Sequence, residues 1–209
     1  MADDRITRSD FFRAGGRRAF EGLLRAVRQG VTAFEAQRPP PAPAASAASF
    51  GLLRPPGALP EVAFLDTCLR CGKCVDACPP MALFPAPDSM DPIIGTPVLR
   101  PRRSPCVLCP DVPCAAACPS GALRPIPVAE IRLGVAVIDK DRCVRWNGEP
   151  CHACIVACPI GEAAIRRDGR GRPVVGDACT GCGLCERACP TDPASVRVQP
   201  AFDIGAARG

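Results

Sequence analysis

Apolar residues return with a helical period near the start of the chain. The spacing is three or four between Phe20, Leu23, Leu24, Val27, Val31 and Phe34. Such a spacing places them on one face of a helix. Most of the neighbouring arginines lie off that face, so residues 1–37 are predicted to hold a basic amphipathic helix spanning 5–37. Three roles suit it: contact with an acidic partner or a membrane surface, packing on its own domain, or a solvated tail.

The pattern then changes to a Pro/Ala-rich stretch at residues 38–60. It holds seven prolines and an Ala/Ser tract from Ala44 to Ser49. A segment of this composition is extended and semi-rigid, and we expect no core from it. A short helix is predicted around Glu61–Thr67, directly after Pro60, where the main domain of residues 61–200 begins. Residues 201–209 are a tail.

Short β-branched groups recur within residues 61–200. Val135–Ile138, Val174–Val175 and Val196–Val198 are predicted strands, and Asp168–Gly171 is a hairpin-type turn. A small residue followed by an apolar one also recurs four times, as Ala82-Leu83, Ala122-Leu123, Ala164-Ile165 and Ser195-Val196. We interpret each pair as the packed end of a helix, directly before a strand begins. The predicted fold class is α+β: two ferredoxin-like modules, small and loop-rich, with an N-terminal amphipathic helix.

Composition limits what can hold this domain together. Aromatic residues make up 4% of the chain, and tyrosine is absent. The 16 cysteines must therefore supply structure as well as chemistry. No apolar run of 18 residues exists, so no transmembrane helix is predicted.

The cysteines form four runs, and each run ends in Cys-Pro. The runs are Cys68, Cys71, Cys74 and Cys78; Cys106, Cys109, Cys114 and Cys118; Cys143, Cys151, Cys154 and Cys158; and Cys179, Cys182, Cys185 and Cys189. The first and last follow the C-x2-C-x2-C-x3-C-P spacing of bacterial [4Fe–4S] ferredoxins. The middle two stretch one internal gap. We expect the fourth cysteine of each run to begin a short helix, because proline suits a helix start.

These spacings favour iron–sulfur ligation by all 16 cysteines over three alternatives. Zinc takes four ligands in two separated pairs rather than triplets. Close triplets followed by Cys-Pro do not suit disulfides, and catalytic thiols do not come in such numbers. The predicted cofactors are four [4Fe–4S] clusters. Each carries a charge of about −2 with its thiolates, which lowers the formal net charge from +5 to about −3. A nucleic-acid partner is therefore not expected.

Little other chemistry is visible. The single histidine, His152, lies inside a run that already has four thiols, and we interpret it as a bystander. Trp146 is interpreted as a cover over a cluster or a partner-docking residue. The sequence shows no Gly-rich nucleotide loop and little acid–base equipment, so we predict no catalytic residues and no active site. An enzyme fed by its own clusters is the rival class.

Several stretches carry a family resemblance. They are Arg54–Pro60, Pro105–Leu123, Leu133–Asp139 and the irregular run with Trp146 and Gly148. With the 16 cysteines, they make residues 52–200 resemble the MauM/NapG family of ferredoxin-type proteins. The resemblance implies a carrier of four [4Fe–4S] clusters that relays electrons, beside periplasmic nitrate reductase or methylamine dehydrogenase, from a quinol-oxidising membrane partner. An electron-transfer subunit of a larger oxidoreductase and an assembly or maturation factor for a reductase are alternatives.

One departure from the family concerns export. Members commonly start with a twin-arginine signal, whereas Ser9 stands where the second arginine belongs, and no apolar core follows Arg17-Arg18. We therefore expect a cytoplasmic protein, membrane-associated through residues 5–37, with a periplasmic location as the alternative.

The fourth cysteine of each run is expected to join the cluster of a partner run. Neighbouring runs could pair, or the runs could nest, first with fourth and second with third. Nesting is favoured because it pairs the two regular runs together, and because the chain resembles nested four-cluster subunits of molybdenum oxidoreductases. It would place Cys78 beside Cys179, Cys182 and Cys185.

Overall fold

The structure is a computed structural model that describes residues 52–200. The predicted N-terminal helix, residues 38–51 of the Pro/Ala-rich stretch and the tail lie outside the described residues. Within residues 52–200 the helices are α1 (Glu61–Thr67), α2 (Lys73–Asp76), α3 (Pro113–Ala116), α4 (Ala153–Val156) and α5 (Leu184–Ala188), with 3₁₀ turns at Val128–Glu130 and Gly161–Ala163. The strands are β1 (Leu83–Pro85), β2 (Pro97–Leu99), β3 (Gly134–Ile138), β4 (Ile165–Arg167), β5 (Pro173–Val175) and β6 (Val196–Pro200). The helix after Pro60 and the three strands predicted from β-branched groups are confirmed.

The strands pair antiparallel in twos, β1 with β2, β3 with β6 and β4 with β5. The hairpins β1–β2 and β4–β5 each connect two consecutive cysteine runs. The β3–β6 pair joins the strand before the third run to the strand after the fourth. A bridge between Ala58 and Leu123 does the same for the first two runs. Residues 52–124, the N-terminal half, and residues 134–200, the C-terminal half, therefore repeat one plan.

Residues 52–60 differ from the expected linker, because they belong to the core. Leu53 is 5% exposed and bridges to Leu99, and Arg54 is 6% exposed. The prolines do not prevent this, because the segment runs along an edge where few backbone N–H groups need partners. Leu59 N–H donates to the Ala122 carbonyl at 3.0 Å and so fixes the segment to the end of the second run.

The short helices also differ from the prediction, because they hold the third cysteine of each run and not the fourth. Cys74, Cys114, Cys154 and Cys185 lie in α2, α3, α4 and α5. Proline restricts the residue before it to extended backbone, so the helix ends at or before the fourth cysteine. Cys189 shows this, with φ −63° and ψ 127°.

The two halves pack against each other through the second and fourth runs. Cys106 N–H donates to the Cys182 carbonyl at 3.0 Å, and Cys182 belongs to the same apolar cluster as Leu53 and Cys114. The Arg102 guanidinium donates to the carbonyls of Cys189 at 2.7 Å and Thr191 at 3.1 Å, just beyond α5. The loop before the second run therefore holds the C-terminal half in place.

The predicted turn at Asp168–Gly171 is confirmed between β4 and β5. Gly171 N–H donates to the Asp168 carbonyl at 2.8 Å, and Gly171 has φ +74°, which favours glycine. The turn brings the end of the third run back toward the start of the fourth.

Candidate metal centres

The 16 thiols gather into four groups, and each group takes three cysteines from one run and the fourth from the neighbouring run. The N-outer group is Cys68, Cys71, Cys74 and Cys118, and the N-inner group is Cys106, Cys109, Cys114 and Cys78. The C-inner group is Cys179, Cys182, Cys185 and Cys158, and the C-outer group is Cys143, Cys151, Cys154 and Cys189. Each group thus has the four-thiol donor set of a [4Fe–4S] cluster.

The favoured nested pairing is wrong, and neighbouring runs pair instead. Cys78 lies beside Cys106 and Cys114, not beside Cys179 and Cys185. The cause is the pair of hairpins, since β1–β2 and β4–β5 fold each run back on the next one. Regularity of spacing plays no part, because each half combines one regular run with one widened run.

The thiols of one group surround a space larger than a single ion. Among residues 52–200, no three His, Cys, Asp or Glu side chains converge closely enough to hold one metal ion. The cavities lined by the N-outer, C-inner and C-outer groups are mostly apolar, and all 16 thiols are unpaired by disulfides. A cubane, which presents iron at several corners, suits this arrangement.

The first, second and fourth runs turn into their helices through a left-handed backbone position. Gly72 and Gly183 occupy the same place in their runs, after the second cysteine, with φ +76° and +85°. Each begins the helix that carries the third cysteine. In the widened second run, Val112 takes this place with φ 39°, an uncommon conformation for a β-branched residue.

Burial dominates the electrostatics of the thiols. It raises the pKa of Cys74, Cys106 and Cys154 from an ordinary 9.0 to about 11, and that of Cys114 to about 12. Neighbouring thiols of the same group raise these values further. Positive iron would offset both effects, since metal ligation holds thiols as thiolates.

Backbone N–H groups point at the sulfur of the fourth cysteines. Ala82 donates to Cys78 Sγ at 3.3 Å and Leu123 to Cys118 Sγ at 3.4 Å. Both donors belong to the small-then-apolar pairs seen in the sequence. Hydrogen bonds to sulfur are one of the means by which a protein sets the potential of an iron–sulfur cluster. The pairs therefore serve the sites as well as the packing.

Hydroxyl groups that were not predicted from the sequence lie beside two of these sulfurs. Ser120 Oγ lies 3.5 Å from Cys118 Sγ, and Thr191 Oγ1 and Ser195 Oγ lie 3.2 and 3.3 Å from Cys189 Sγ. Burial favours a raised pKa at Cys189, but the Ser195 and Thr191 hydroxyls and their N–H groups outweigh it and lower the pKa to about 7. The signal was present, because Ser195 stands where the other three pairs have alanine.

The groups differ in their access to solvent. Cys71 of the N-outer group is exposed, and Leu69 beside it is 67% exposed. In contrast, the N-inner group has three buried thiols and one partly buried thiol. In the C-terminal half the two groups are alike, since each has two buried and two partly buried thiols. Val156 of α4, two residues from both Cys154 and Cys158, is 73% exposed.

Neither His152 nor Trp146 lines the C-outer cavity. His152 is an exposed residue that precedes α4. Trp146 stacks between Arg172 at 4.0 Å and Lys140 at 4.7 Å, and its Nε1 donates to the Pro173 carbonyl. Pro173 itself lines the C-outer cavity, and this bond anchors the widened loop of the third run to β5. The interpretation of Trp146 as a cover stays a prediction.

Comparison with known families agrees with this division into halves. Residues 67–122 and residues 135–190 each match a model described as a 4Fe-4S dicluster domain. Each match contains both runs of one half, and therefore eight of the 16 cysteines. Among residues 52–200, no helix has the length and apolar character needed to cross a bilayer.

Whole-chain relatives are ferredoxin-type proteins. The chain is 47% identical over 164 residues to the methylamine utilization ferredoxin-type protein MauM of Paracoccus denitrificans, which covers 73% of each chain. It is 41% identical over 162 residues to the ferredoxin-type protein NapG of Escherichia coli, which covers 71% of this chain and 70% of that one. No solved structure matches significantly.

Proposed function

Because this chain belongs to the MauM/NapG family of ferredoxin-type proteins, we propose that it relays single electrons from a quinol-linked or ferredoxin-type donor to a redox enzyme. It is an iron–sulfur electron-transfer protein with four [4Fe–4S] clusters, two in each dicluster domain. It works with redox partners. We propose further that the chain has no active site of its own.

We propose that the 16 cysteines are the cluster ligands, grouped as the N-outer, N-inner, C-inner and C-outer sets. When bound, such clusters supply centres that accept and release one electron each. The thiols fix where these centres are, and the N–H groups directed at sulfur stabilise the negative charge that collects there.

A continuous row of thiol groups supports the relay most directly. Within each half, the exchanged fourth cysteines tie the outer group to the inner group. Between the halves, the Cys106 N–H to Cys182 carbonyl bond of 3.0 Å joins the two inner groups. Direct contacts therefore connect the groups in the order N-outer, N-inner, C-inner, C-outer.

The ends of this row are the places where partners would meet it. Cys71 and Leu69 are exposed at the N-outer group, and Val156 is exposed on α4, the helix that carries Cys154 of the C-outer group. Apolar side chains of this kind suit brief contact with a redox partner, whose interfaces are small. We propose that one partner docks at each end.

Metal analysis and rapid kinetics test the proposal. Protein purified without oxygen should hold about 16 iron and 16 sulfide per chain. Host membranes supplied with a reduced quinol should then bleach its visible absorbance, and the bleached protein should pass its electrons to an acceptor enzyme. Stoichiometric zinc with little sulfide would contradict the cofactor assignment. Steady-state turnover of a substrate by the chain alone would favour an enzyme, and retention on a reductase precursor without electron transfer would favour an assembly factor.

A further inference from the structure

The four Cys-Pro turns differ at the residue that follows proline. It is Pro80 in the first run, Ser120 in the second, Ile160 in the third and Thr191 in the fourth. Since the fourth cysteines cross between neighbouring runs, the two hydroxyls reach the two outer groups. The inner groups receive proline and isoleucine at this place, which carry no hydroxyl, and the C-inner group has instead one hydroxyl bond, from Thr180 to Cys182.

The C-outer group has a second hydroxyl that the N-outer group lacks. In the small-then-apolar pair, Ser195 stands where the other runs have Ala82, Ala122 and Ala164. Cys189 Sγ therefore has three donors close by: Thr191 Oγ1 at 3.2 Å, Ser195 Oγ at 3.3 Å and Ser195 N–H at 3.4 Å. Cys118 Sγ has one hydroxyl at 3.5 Å and one N–H at 3.4 Å.

The surroundings fix the direction of these hydroxyl bonds. Ser195 N–H donates to Thr191 Oγ1 at 2.8 Å, so the Thr191 oxygen accepts there and its proton is free to point to sulfur. A thiolate ligand carries no proton, and both hydroxyls must therefore donate to it. Ser195 is 4% exposed, so little water competes for its proton.

We propose that Thr191 and Ser195 raise the reduction potential of the C-outer cluster above those of the other three clusters. An electron that enters the row is then held at the C-outer cluster. This inference rests on the proposed function. The reason is charge. One-electron reduction adds negative charge that spreads onto the thiolate sulfurs, and donors to sulfur stabilise the reduced form more than the oxidised form. The effect is large where the donors are buried, because the local dielectric is low.

The test is a potentiometric titration of the four-cluster protein. The reduction of the clusters is monitored through their electron paramagnetic resonance spectrum. The double variant T191V/S195A should lower the potential of the first transition. At a fixed potential, the ratio of reduced to oxidised cluster should fall about tenfold, which equals ~59 mV for one electron. T191S, which keeps the hydroxyl, should leave the transition in place.

Two control variants give the test its selectivity. S120A should move a different transition, that of the N-outer cluster, and S89A, an exposed loop hydroxyl, should move none. Iron and sulfide are measured on every variant, so that failure of the cluster assignment itself is seen separately. If the double variant binds less iron, S195A alone serves, since alanine occupies this place in the other runs. An unchanged first transition in a variant with full iron content would overturn the proposal, as would a shift of that same transition in S120A.

Discussion

Arg54 is the buried charge on which the N-terminal half depends. It is 6% exposed, and its guanidinium pairs with the Glu61 carboxylate through two nitrogens. The same group donates to Thr96 Oγ1 at 2.8 Å and to the Pro97 carbonyl at 3.0 Å, and it lies 4.6 Å from the Phe64 ring. One side chain thus connects the segment before α1, α1 itself and the start of β2.

We expect E61Q to weaken the N-terminal half. Breaking a buried ion pair by removing one partner costs about 3 kcal/mol, because the remaining charge stays buried. Loss of visible absorbance in guanidinium should therefore become roughly tenfold faster or more. E130Q, which changes an exposed glutamate, should unfold at the rate of the unchanged protein. Equal rates for E61Q and E130Q would show that the Arg54 network contributes little.

At the residue scale, the role of the cysteines could be predicted from the sequence, but the role of Arg54 could not. The 16 cysteines were recognisable because thiolate spacing around a cubane is a local property of each run. Arg54 was not, since its partners Thr96 and Pro97 lie more than 40 residues away along the chain. A charged residue between leucine and proline is typical of a linker, and only the distant partners show that Arg54 belongs to the core.

At the scale of elements, the β4–β5 hairpin depends on one carboxylate. Asp168 Oδ1 accepts from the N–H groups of Arg170 at 2.9 Å and Arg172 at 2.8 Å, and Oδ2 accepts from Arg172 Nε at 2.8 Å. The Arg172 N–H and side chain, with the Arg170 N–H, lower the pKa of Asp168 from 3.8 to about 2. A lowered pKa in the folded protein means that the carboxylate stabilises the hairpin above about pH 4 and ceases to do so as pH falls through about 2.

D168N should therefore loosen the hairpin at neutral pH, where the carboxylate is fully charged. Hydrogen exchange at the Arg172 amide should lose protection in D168N. In the unchanged protein, the same protection should decline only as the pH approaches about 2. D88N, in an exposed loop, is the control. Identical Arg172 protection in D168N and D88N would show that the turn holds without this carboxylate.

Elements were predicted well where a local pattern sufficed. Val135–Ile138 and the turn at Asp168 have β-branched and Asp-Gly signals that need no distant partner. The helix positions were misplaced by one cysteine, because proline was taken as a helix start. In this chain, proline follows an extended cysteine such as Cys189 and marks the end of a helix.

At the scale of the molecule, one glycine lies directly in the contact between the halves. Gly183, with φ +85°, faces Pro101 so closely that an added Cβ would collide with it. Gly72 holds the equivalent place in the first run, with φ +76°, and has no atom within 4 Å of such a Cβ. The two glycines share a left-handed backbone conformation, but only Gly183 lies against the other half.

G183A and G72A therefore form a matched pair. Both variants should lower the free energy of unfolding by about 1 kcal/mol, since each places a side chain at positive φ. G183A should in addition push the inner groups apart. After pulsed reduction of one half, electron transfer to the other half should become roughly tenfold slower or more in G183A only. The reason is a loss of orientation, which in enzymes can slow a reaction by about 100-fold for a small displacement. Equal transfer rates in both variants, at full iron content, would place the path between halves elsewhere.

The arrangement of the runs was the part that the sequence did not reveal. Regular and widened spacings describe how a run wraps its own cluster, and they hold no information about which run lies beside it. That is decided by the hairpins, such as the pairing of Leu83 with Leu99, and by Arg102, which reaches across to Thr191.

Exchange of the fourth cysteine between neighbours also sets the order in which a new chain can mature. As synthesis proceeds, the N-terminal half has its eight thiols outside the ribosome once Cys118 has left it, before the third run has emerged. A nested arrangement would have kept the first run incomplete until Cys189. The N-terminal half can thus receive iron and sulfide while the rest is still being made, and it offers the finished surface around Cys106 on which the second half then assembles.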